Sequence, residues 1–172
     1  MTTASTAAMT PEFAVALRDF LLESVTGEFE ATKKVVGAVL PGDYRPDPKS
    51  KTAPELAKHI VEVEVQFLHE IANGEFKMEP MFPDIPAEPK ALAQWYEQEF
   101  PKAVQRVRDM TAEQLVKPVD FYGVMTMPVV KYLGFVDKHS VHHRGQLSTY
   151  LRPLGGKVPG IYGGSADEPW QG

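Results

Sequence analysis

His139, His142 and His143 fall within the run KHSVHHRGQ and account for three of the chain's five histidines. Imidazoles this close together can hold a metal, move protons, or simply share a helix. The chain has no cysteine, so any metal it binds must take nitrogen and oxygen donors. On a helix, His143 lies about 40° from His139 and His142 about 60° to the other side. Val129, Leu133, Val136, Leu147, Tyr150 and Leu151 gather on the His143 side of that wheel. His139 and His143 therefore aim together at an interior, while His142 turns toward solvent.

Two imidazoles at positions i and i+4 rise from neighbouring turns and can meet one cation. A third donor has to come from another helix. His59 is the candidate, set between Leu56 and Ile60 and four residues before Val63. His69, about 80° from His59 on its wheel, reads as a surface or rim residue. Three imidazoles would leave a position for water or substrate, and zinc, nickel, iron(II) and manganese(II) all accept such ligands. On spacing alone, hydrogen-bonded core histidines remain the alternative. Two other metal motifs are excluded. Ser140 follows His139 where a zinc protease needs glutamate, and no histidine has a glutamate three residues before it, as di-iron bundles need.

Four helical tracts would position these residues. The first opens at Thr10-Pro11-Glu12 and runs through Phe13, Leu17, Leu21, Val25 and Phe29 to Val39, with residues 1–9 read as a frayed tail. The second starts at the capping-box pattern Thr52-Ala53-Pro54-Glu55 and stops at Asn73-Gly74. The third spans about 89–109, with Pro101 a potential kink, and the fourth runs from Met127 or Pro128 to Arg152, with Gly155 as its stop. A second capping box, TAEQL, predicts one short turn, and VKPVDFYGVMTM reads as too short to build a sheet by itself. Between the second and third helices, prolines 80, 83, 86 and 89 forbid a helix, yet Phe76, Met81, Phe82 and Ile85 are not linker residues. That segment is either a loop packed over the bundle or a substrate-facing lid. A Gly-rich tail with Ile161, Tyr162 and Trp170 ends the chain.

The expected fold is thus all-α, a single four-helix bundle domain over residues 1–172. A net charge of -5 with scattered lysines and arginines argues against a nucleic-acid footprint. No signal-peptide order and no membrane-length apolar run is present, so the expectation is a cytoplasmic protein away from the membrane, acting on a small molecule.

The histidine early in TAPELAKHIVEVEVQFL and the His-x-x-x-His-Arg-Gly-Gln of DKHSVHHRGQLSTYLRPLG resemble the DinB/YfiT-like superfamily. The resemblance covers nearly the whole chain. It implies a four-helix bundle, often a homodimer, with a divalent metal on His59, His139 and His143. It also implies a thiol-dependent S-transferase or a hydrolase, with zinc or nickel the first metals to consider, iron or manganese next, and a low-molecular-weight thiol as possible cosubstrate. A non-catalytic stress-response module with a structural metal is the alternative. Beside the ligands, Glu62 and Gln146 are the candidate catalytic residues. Glu62, three after His59, suits a general base, a fourth ligand or a solvated carboxylate. Gln146 suits orientation of a ligand or bound water. Arg144 points away from the metal pair, toward an ion pair with another helix or subunit. Gly145 suggests close approach of another helix, and Tyr150 reads as core with a place near the pocket.

Overall fold

A computed structural model describes residues 9–170. The expected frayed tail lies outside them except for Met9, which packs against the core. Among the described residues six α-helices form: α1 (Pro11–Gly27), α2 (Phe29–Gly37), α3 (Ala53–Asn73), α4 (Pro89–Arg108), the short α5 (Ala112–Val116) and α6 (Leu133–Leu151). Helix α3 packs against α4 on one side and α6 on the other, with α1 and α2 closing the bundle. Among the described residues no helix is long and apolar enough to cross a membrane.

The caps explain where the helices begin. Thr10 Oγ1 accepts from Phe13 N at 3.3 Å ahead of Pro11. Thr52 and Glu55 complete a reciprocal capping box on α3, and Gly74, at φ 69°, ends it. Thr111 and Gln114 do the same for α5. Pro101 lies inside α4, which continues through it to Arg108. Leu56, Ile60, Val61, Val65, Leu68 and Ile71 bury the core face of α3, each contributing roughly 1.5–3 kcal/mol when fully withdrawn from water.

Three departures from the sequence expectation have local causes. The first tract breaks at Glu28, after Thr26 bonds back to Leu22 O at 2.7 Å and Gly27 weakens the turn. Residues Pro118–Phe121 (β1) and Met125–Pro128 (β2) pair as an antiparallel hairpin. Its turn places Tyr122 at φ 53° and Gly123 at φ 73°, the doubly positive geometry that matches strand twist. The hairpin does not stand by itself. Tyr132 Oη donates to Val119 O at 2.8 Å, and Phe121 stacks on Tyr132. The last tract therefore begins as β2 and one 3-10 turn (Val129–Tyr132) before α6 starts.

The proline-rich segment is packed over the bundle. Glu70 Oε1 accepts from Lys77 N at 3.1 Å and from Gln66 Nε2 at 3.0 Å, and Gln66 Oε1 accepts from Met81 N at 3.3 Å. Phe76 packs on Phe67, Phe121 and Tyr132, and Phe82 lies between His69 and Trp95.

Candidate metal centre

Helices α3 and α6 lie side by side, which brings His59 to the same point as His139 and His143. One donor atom from each ring falls within 4.8 Å of the others, and among the described residues no fourth His, Asp or Glu joins them. Ring centroids are 5.0 Å apart for His59–His139, 4.9 Å for His59–His143 and 4.5 Å for His139–His143. His59 Nε2 and His139 Nε2 are 3.2 Å apart. Two nitrogens at that spacing subtend about 100° at an ion with ordinary metal–nitrogen bonds of about 2.0–2.1 Å.

Two of the rings, His59 and His139, are prepared as neutral donors. Burial, helped by the charges of His143 and Lys51, pushes His59 down to about 4. Burial, then the three neighbouring histidines, pushes His139 down to about 3. At neutral pH both rings therefore keep a free lone pair. His143 Nδ1 bonds Gln146 Oε1 at 3.0 Å, and Gln146 Nε2 donates to Tyr150 Oη at 3.1 Å. The tyrosine fixes the amide, the amide oxygen fixes the proton on His143 Nδ1, and Nε2 is left free. Gln146 is thus a positioning residue for the third imidazole. His139 Nδ1 is buried without a partner, and the ring's place is set by packing, with Phe67 at 6.4 Å. Three imidazole nitrogens converge here with no acid among them, and a cation would take the lone pairs of His59 and His139, whose Nε2 atoms otherwise meet only each other. The donor set fits a divalent metal.

The other expected residues lie around this cluster. Glu62 is outside the donor group, in the wall of a cavity of about 410 Å³ that opens on His59. His142 is exposed at the rim, its ring 4.7 Å from His143. His69 is not at the surface: it is 9% exposed, and its Nδ1 meets Arg106 Nη1 at 2.8 Å. Helix α4 and Phe82 cover it, which the wheel of α3 alone does not reveal. Gly145 meets no approaching helix, since a Cβ there would have nothing within 4 Å. Arg144 does pair with another helix, but from a buried position, 2% exposed. It donates to Glu28 O at 3.2 Å, to Thr32 Oγ1 at 3.1 Å, and to the Glu28 carboxylate and Tyr162 hydroxyl. The C-terminal tail is docked through that contact, and Tyr162 Oη also donates to Glu28 Oε2 at 2.6 Å.

Beneath the histidines lies a buried acid not foreseen from the sequence. Glu64 Oε2 accepts from Ser140 Oγ at 2.6 Å and from Tyr96 Oη at 3.1 Å, while Oε1 has no partner. Burial raises this carboxyl to about 7 against the opposing effects of those bonds and of Arg144. Its sequence signal is its place four residues after Ile60 and four before Leu68, inside the apolar stripe.

Known proteins share this arrangement of helices. A DinB-like protein from Bacillus cereus ATCC 10987 superimposes with a TM-score of 0.69 at 27% identity, covering 84% of this chain and 97% of that one. The DinB-like protein YjoA of Bacillus subtilis gives 0.65 at 24% identity, over 83% and 96%, and supports the fold alone. In sequence, the uncharacterized protein YrdA of Bacillus subtilis is 28% identical over 155 residues, 88% of this chain and 91% of the relative. The model of the DinB family matches residues 15–171, and the chain belongs to that family.

Proposed function

We propose that this chain is a mononuclear divalent-metal enzyme of the thiol-dependent S-transferase or hydrolase type. The observation that carries the reading is the convergence of three imidazoles beside an open cavity with Glu62 in its wall. His59, His139 and His143 would hold the ion, with zinc or nickel the first candidates. When bound, such an ion lowers the pKa of a thiol or water, which supplies a nucleophile near neutral pH. Three neutral ligands leave its double charge uncompensated, which strengthens that effect. Glu62, in the cavity wall, would accept the proton released, and Gln146, bonded to His143 Nδ1, would hold that ring in the tautomer that offers Nε2. A structural metal would need a fourth protein ligand, and the absence of one from the donor group among the described residues favours the catalytic reading.

Metal analysis of protein purified without a metal-affinity tag tests the proposal. About one equivalent of divalent metal is expected, lost in His143→Ala, with a thiolate-to-metal band when the cobalt-substituted protein meets small thiols. Metal content unchanged by His143→Ala, or a cobalt spectrum indifferent to thiols and to pH, defeats it.

A further inference from the structure

The cavity beside His59 carries a charge opposite to that of the whole molecule. The chain's net charge is -5, yet Arg45, Lys49, Lys51 and Lys58 all line this one cavity. Among the described residues none of the four forms a salt bridge. Two carboxylates share the wall, Glu55 and Glu62. Glu55 caps the helix, accepting from Thr52 N at 2.7 Å and Thr52 Oγ1 at 2.9 Å, and its charge also faces Arg45 and Lys51. The nearby Asp47 stands outside the cavity wall and accepts from Lys49 N at 2.8 Å.

The segment between α2 and α3 that presents Arg45 and Lys49 is held in place. Ala53 N donates to Tyr44 O at 3.1 Å, Ser50 N donates to Asp47 O at 2.9 Å, and the Tyr44 ring meets Tyr150 edge-on at 5.7 Å. Lys51 sits just ahead of the cap of α3, and Lys58 directly precedes His59. At about 410 Å³ the cavity is in the range of small-molecule sites. Four cations against two carboxylates around such a volume leave a net positive wall, which selects negative charge and concentrates it near the imidazoles.

We infer that the molecule acted on here carries at least one carboxylate or phosphate group, seated against Arg45, Lys49, Lys51 and Lys58, with its reacting end toward His59. This deepens the proposed function and rests on it for the reacting end only; the anion seat stands on the cations themselves.

Two measurements separate them. In the metal-free protein, inorganic phosphate and succinate are titrated by NMR, following the backbone amides of residues 45–58. Saturable shifts are expected with either anion, weakened about tenfold in Arg45→Gln/Lys49→Gln. Shifts that are absent, or equal in the variant, overturn the anion seat. The cobalt-substituted protein is then titrated with mercaptosuccinate and with neutral 2-mercaptoethanol. The variant should weaken mercaptosuccinate about tenfold and 2-mercaptoethanol less than twofold, and added salt should weaken the first alone. Equal losses for both thiols overturn the inference. Intact phosphate shifts with no thiol band defeat the proposed metal chemistry and leave the anion seat standing. Both substituted residues are exposed, and an unchanged melting temperature confirms that the fold is retained.

Discussion

Glu64→Gln should flatten the pH dependence of stability between pH 4.5 and pH 7. In the folded chain burial lifts the Glu64 carboxyl from 4.5 to about 7, so across that window the native state keeps a proton that the unfolded state has lost. Stability therefore falls as pH rises, by about 1.4 kcal/mol per unit, and stays lowered above pH 7. Across 2.5 units the contribution is about 3 kcal/mol, and the side chain's 1% exposure leaves little solvent to screen it. In a chain of this size that corresponds to roughly 6–12 °C in melting temperature. The assay is chemical denaturation of metal-free wild type and Glu64→Gln at half-unit steps from about pH 4.5 to pH 8, reading the difference between the two curves. A glutamine keeps an oxygen for Ser140 and Tyr96, but its amide hydrogens find no partner where Oε1 stands. That shifts the variant by a constant, whereas the slope isolates the titration. Parallel curves would refute the reasoning and mean that Glu64 stays ionised in the core.

Gln146→Ala removes the acceptor on His143 Nδ1 and should weaken metal affinity about 10- to 100-fold, measured by competition with a chelator; unchanged affinity would show that the amide does not position the ring. Gly145→Ala should stabilise the protein by roughly 1 kcal/mol, read as a rise in melting temperature, because the site is helical and exposed with room for a methyl group. Loss of stability there would mean that something in solution presses on that face. Arg144→Met leaves the Glu28 carboxylate without its buried cation and should cost about 3 kcal/mol or more in denaturant unfolding. Tyr162→Phe, which removes one hydroxyl from the same cluster, should cost roughly 1 kcal/mol.

The bundle and the three-imidazole cluster were legible because each rests on a short-range rule. Caps at Thr10, Thr52 and Thr111 mark helix starts through bonds that span three residues, and the His139/His143 pair follows from helical pitch. His59 needed only the assumption that apolar faces meet. The hairpin was not legible, since its four-residue strands depend on Tyr132, outside the segment, which bonds Val119 O and stacks on Phe121. His69 failed for the same reason, its cover coming from α4 and the proline-rich loop.

Glu64 and Arg144 differ, because their positions in the apolar stripes were readable, and an ion pair was expected for Arg144, but their partners were not. Glu64 continues the stripe of Leu56 and Ile60 toward Leu68, and Arg144 continues that of Val136 and Ser140 toward Leu147 and Leu151. A charged residue in an apolar stripe leaves the core, finds partners there, or gives up its charge as burial drives Glu64 to do. The local sequence does not decide among these, because the partners come from elsewhere: Tyr96 on α4, Thr32 on α2, Glu28 at the α1–α2 break and Tyr162 in the tail. The helix break has a role in this light, for it turns the Glu28 carbonyl and carboxylate toward Arg144. The Ser140 that accompanies His139 on α6 is bonded to Glu64, so the same turn that presents a candidate ligand is fastened from beneath to α3. A three-imidazole site assembled from two helices needs those helices fixed in register, and a polar bond between α3 and α6 fixes register where interchangeable apolar contacts do not.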